Sequence, residues 1–167
     1  NNLKSATISD AFLWRTNDNF VTKFKYSDIL NVFYKIKNSW VEFHFYSKNN
    51  ELLKIEKINN LDYSNEIEID SNYLNNLKDY GVFYIYHFAN EKIDSENIVS
   101  NRCYVGYSQN NNLFSFVHGN TLASSLHFSD NNKISSNIVK TSLLKNQFYK
   151  IQKYFDNFDK NELFFTN

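Results

Sequence analysis

Apolar and polar residues alternate along much of this chain with a period of two, in short runs separated by clusters of Asn, Asp and Ser. That pattern predicts antiparallel strands joined by tight turns. Residues 20–26 put Phe20, Thr22, Phe24 and Tyr26 on one face and Val21, Lys23 and Lys25 on the other. Residues 40–46 put Val41, Phe43 and Phe45 opposite Trp40, Glu42, His44 and Tyr46. The polar segment 47–50 then turns the chain into a strand over 52–58; Asn tolerates the left-handed backbone that such turns need. Residues 66–70 read as a short strand with Ile67 and Ile69 inward and Glu66, Glu68 and Asp70 on a solvated face.

Residues 81–88 differ, because both faces are largely apolar: Val82, Tyr84, Tyr86 and Phe88 on one side, Phe83, Ile85 and His87 on the other. This predicts a central strand covered twice. Residues 103–107 and 113–118 predict a hairpin turning at 108–112. Weaker strands are read over 122–128 and 134–139. Leu30 to Tyr34 and Leu74 to Leu77 are candidate helical turns. From 144 onward, helical and strand spacing compete, and the lower helix propensity of Tyr and Phe favours strands. The expectation is one all-β domain over residues 1–167: an antiparallel β-sandwich, jelly-roll-like, with one or two short helices.

Composition narrows the picture. Lys plus Arg and Asp plus Glu each total 18, so there is no basic field for nucleic acid and no polybasic patch for lipid. No apolar run approaches the ~20 residues of a membrane helix. The single Cys103 forms no internal disulfide, and the first ten residues lack a leader-like pattern, which together suit the cytoplasm. Abundant Asn, Lys, Ile, Phe and Tyr, with no Pro or Met, point to an AT-rich, microbial genome rather than to prion-like low complexity.

Candidate chemistry centres on Asn101-Arg102-Cys103-Tyr104-Val105-Gly106-Tyr107-Ser108, which holds one of two Arg, the lone Cys and one of three Gly. A hairpin with Phe116-Val117-His118-Gly119-Asn120 brings Arg102, Tyr104, His118 and Asn120 toward one sheet end. Aromatic faces stack on sugars or rings while Arg and Asn give directed hydrogen bonds. The plainer reading is a hairpin that needs Gly for close approach. Arg15 beside Trp14, and His87 on the central strand, complete the expected lining: Arg15, His87, Arg102, Tyr104, His118 and Asn120. His44, His87 and His118 form an alternative metal set, though the chain has no His-x-His and no His-Glu-x-x-His. Cys103 reads as a small core residue rather than a nucleophile.

The leading expectation is a non-catalytic ligand-binding or assembly module for a small molecule or glycan, with no cofactor. A metal-dependent enzyme using the three histidines is the second reading. The third is a structural homodimer joined through the outer face of 81–88.

Overall fold

The computed structural model describes residues 4–8, 12–91, 103–118, 124–128 and 134–137, together with positions 160, 162 and 164. They form an all-β antiparallel sandwich. Its strands are β1 (Lys4–Ile8), β2 (Phe12–Arg15), β3 (Phe20–Tyr26), β4 (Trp40–Ser47), β5 (Leu52–Ile58), β6 (Asn65–Ile69), β7 (Tyr80–Ala89), β8 (Tyr104–Gln109), β9 (Ser115–His118), β10 (Ser124–Phe128) and β11 (Ile134–Asn137). A short helix α1 (Ile29–Tyr34) follows β3, and a single 3-10 turn covers Asn72–Leu74. The predicted C-terminal strands beyond 140 lie outside the described residues.

One sheet has the order β11-β10-β1-β7-β4-β5, with β2 also on β7; the other has the order β6-β3-β8-β9. β7 is central, as its two apolar faces predicted. β1 lies against Tyr86 to Ala89 and β2 against Tyr80 to Phe83, so the two short strands follow one another along the same edge. The ladder is irregular where Phe45 and Tyr46 face Lys54 and Leu52, leaving Leu53 as the extra residue of β5, the geometry of a bulge.

The alternation read from the sequence decides what is buried. Phe12 and Trp14, Val41, Phe43 and Phe45, and Phe83 and Ile85 face inward from the large sheet; Phe24, Tyr26, Ile67, Ile69 and Val105 face them from the small one. Phe24 enters between the rings of the opposite layer, with centroids 4.7 Å from Phe12, 5.0 Å from Phe83 and 5.8 Å from Phe43. The edge-on contacts with Phe83 and Phe43 add to simple burial. Tyr107 crosses the layers, its hydroxyl donating to the Leu13 carbonyl at 2.9 Å. Gly81 is dictated by close approach: a Cβ there would lie 2.1 Å from the Tyr46 carbonyl oxygen and 2.8 Å from the Trp14 indole nitrogen. That indole N–H donates to the same carbonyl.

Candidate functional site

The outer face of the small sheet gathers the chemistry-bearing side chains. β3 turns Phe24 and Tyr26 inward, so Lys23 and Lys25 point out. Register then sets Lys25 between Glu66 and Tyr104, and Lys23 between Glu68 and Gly106. On the far side, Tyr104 faces His118 and Gly106 faces Phe116. The face reads as two rows, Glu66-Lys25-Tyr104-His118 and Glu68-Lys23-Gly106-Phe116.

Its charges interlock. Lys23 Nζ lies 3.2 Å from Glu66 and 3.3 Å from Glu68, and Lys25 Nζ lies 3.4 Å from Glu66. The bond to Glu66 holds the Lys23 ammonium above its ordinary range, against the weaker pull of burial. Burial acts upward on the Glu66 carboxyl, but Lys23 and Lys25 outweigh it and hold the group below its ordinary range. Both groups are therefore charged at neutral pH, and the ladder is close to neutral as a whole.

The same lysines rest on rings. Lys23 Nζ is 4.5 Å from the Phe114 centroid and Lys25 Nζ is 4.9 Å from that of Phe116. Gly106 lets Phe116 lie flat on the sheet, since a Cβ there would come within 2.5 Å of the ring. Tyr104 remains 46% exposed and Phe116 37%. Their rings, the Tyr104–His118 edge contact at 6.5 Å and the Lys–Glu ladder make a shallow aromatic platform bordered by paired donors and acceptors.

Of the six residues expected to line one site, the fold brings Tyr104 and His118 together on this platform. Arg102 and Asn120 lie outside the described residues. Arg15 and His87 sit elsewhere. Arg15 pairs with Tyr80 at one end of β7, and seven residues separate that point from His87, about 23 Å along the strand. The Arg15 guanidinium is committed to the protein: it donates to Asn17 at 2.8 Å, Asp18 at 3.0 Å and Glu162 at 2.6 Å, and stacks on Phe20 at 3.9 Å. His87 faces the core and is fully buried.

The alternative metal set is spread over three layers. His44 is on the outer face of the large sheet, 3.3 Å from Glu42, with its ring tilted 40° against that of Tyr86 at 4.5 Å. His87 is fully buried on the inner face of the large sheet, and His118 is on the outside of the small one. Among the described residues no group of three His, Cys, Asp or Glu is placed to hold a metal ion. Cys103 is buried in the core cluster. On the outer face of β7, the expected homodimer surface, Phe88 is stacked on Trp40 of the neighbouring β4 at 5.5 Å and 6° between planes.

Sequence reasoning missed Lys23, Lys25 and Phe116 as site residues. Their outward orientation was readable from alternation, but their convergence with Tyr104 depends on which strands pair. No helix among the described residues is long and apolar enough to cross a membrane. Compared with family models, with curated proteins and with solved structures, the chain finds no match.

Proposed function

We propose that this chain is a non-catalytic binding module whose small sheet takes a neutral, hydroxyl-rich saccharide on its outer face. The observation that carries this reading is the placement of two exposed rings, Tyr104 and Phe116, directly beside a Lys–Glu ladder. A sugar ring presents an apolar face and a rim of hydroxyls, each both donor and acceptor. The exposed rings suit the apolar face. Alternating ammonium and carboxylate groups suit the rim, because each hydroxyl can accept from a lysine and donate to a glutamate. A strongly anionic ligand meets Glu66 and Glu68, and a cationic one meets Lys23 and Lys25, so a neutral ligand fits best.

The test is a neutral-glycan microarray, followed by titration calorimetry with the best oligosaccharide. Phe116→Ala and Tyr104→Ala each remove exposed ring area without opening the core. Each is expected to weaken binding about tenfold, the equivalent of roughly 1.4 kcal/mol. No array signal above background, or a signal that the double variant retains in full, overturns the reading.

A further inference from the structure

The loop end of the sandwich carries a second feature, a groove of about 500 Å3, the size of a small-ligand site. Three turns form its walls: 16–19 between β2 and β3, 70–79 between β6 and β7, and 110–112 after β8. These turns are tied to one another. The Asn19 side-chain amide donates to Asn110 Oδ1 at 3.0 Å, the Asn110 backbone N–H donates to the Asn19 carbonyl at 3.1 Å, and Gln109 Nε2 donates to the Asp18 carbonyl at 3.1 Å. The Thr16 hydroxyl donates to the Leu77 carbonyl at 2.6 Å and accepts from the Asp79 N–H at 3.2 Å. A ligand entering here meets walls already in place, which lowers the ordering cost of binding.

The charges at the groove are unevenly committed. Asp70 accepts from the Tyr73 N–H at 2.7 Å and from the Asn72 amide at 3.3 Å, so its carboxylate is engaged by its own turn. Asp79 is paired with Lys48 at 3.1 Å. Lys78, on the groove wall, forms no ion pair with any described residue. The side-chain contact between Asn19 and Asn110 uses one donor and one acceptor, leaving Asn19 Oδ1 and Asn110 Nδ2 to other partners. Phe20 and Val21 add apolar surface to its lining.

We propose that this groove binds a small carboxylate-bearing sugar, with Lys78 as counter-ion and Asn19 and Asn110 on its hydroxyls. The idea is independent of the platform on the small sheet, because the residues differ and the ligand charge differs.

The experiment is an amide-resolved NMR titration of the full chain with D-glucuronate, D-glucose and inorganic phosphate as separate probes. Glucuronate is expected to shift the amides of 16–21, 70–78 and 110–111, and to bind at least about tenfold more tightly than glucose. Lys78→Gln should abolish the preference for the acid and Lys78→Arg should restore most of it. Phe116→Ala, which removes the neutral-saccharide platform, should leave the glucuronate shifts unchanged, so the two proposals fail separately. Glucuronate shifts absent from these turns, equal binding of glucose at these same turns, an unaltered response in Lys78→Gln, or phosphate acting there as strongly as glucuronate each overturn the proposal.

Discussion

His87 has no accessible surface, and neither ring nitrogen has a hydrogen-bond partner among the described residues. Burial alone pushes its pKa down from 6.5 to about 3, because the charged ring would lose its hydration with nothing to replace it. In the unfolded chain the ring takes up a proton near its ordinary pKa. As pH falls below about 6.5, the unfolded state therefore binds a proton that the folded state refuses. Folding is expected to weaken by about 1.4 kcal/mol per pH unit from there toward pH 3, with no contribution from this group above pH 7. Urea midpoints measured from pH 7.5 to 4.5 should show the decline, and His87→Leu should flatten it; an equal slope in the variant would count against this origin. Alternation placed His87 on the same face as Phe83 and Ile85. What it withheld is that no described residue offers a polar partner to the imidazole. A ring expected at a ligand site is instead fully buried.

The strands that sequence made plain are those with one clearly apolar face. β3, β4 and β6 were read with the correct residues inward, since Phe24, Phe43 and Ile67 alternate with charged or polar neighbours. β1 was not read at all. Lys4–Ile8 has the sequence Lys-Ser-Ala-Thr-Ile, with no aromatic alternation, and it is a strand because β7 and β10 pair with it on both sides. Helix α1 was legible as a short turn, and its start has a clear cause. Asp28 Oδ1 accepts from the Asn31 N–H at 3.2 Å and from the Ser39 hydroxyl at 2.8 Å, fixing the first turn and the return of the chain together. The helix ends at Lys35, whose left-handed backbone lets its own N–H donate to the Asn31 carbonyl and the Ile36 N–H donate to the Leu30 carbonyl. Asp28→Ala should cost about 1–2 kcal/mol in chemical denaturation. Asp28→Asn, which keeps the acceptor, should cost less, and equal losses would mean that the cap is not the source.

At the scale of the whole molecule, a period-two pattern reveals which residues share a face, but not which sheet that face belongs to. His44, His87 and His118 each end or interrupt an apolar run, and from sequence they look alike; three different layers separate them. Tyr104 and His118 converge because they belong to one hairpin, the kind of contact a short loop makes readable. Lys23, Lys25 and Phe116 converge through pairing between strands some eighty residues apart in the chain, which composition and spacing leave open. The extra residue of β5, Leu53, bears on chain length in the same way. Removing it makes one step face one between Phe45 and Tyr46, so the partners of β4 and β5 can stay where they are. Removing Glu42 instead turns half of β4 inside out, sending Phe43 and Phe45 toward water. A variant lacking Leu53, which also packs against the edge of the core, is expected to melt cooperatively at a lowered midpoint, while one lacking Glu42 should lose its native circular dichroism. The fold thus holds its slack in particular places, and lineages carrying it should drift freely in spelling yet change length chiefly at its bulges and loops.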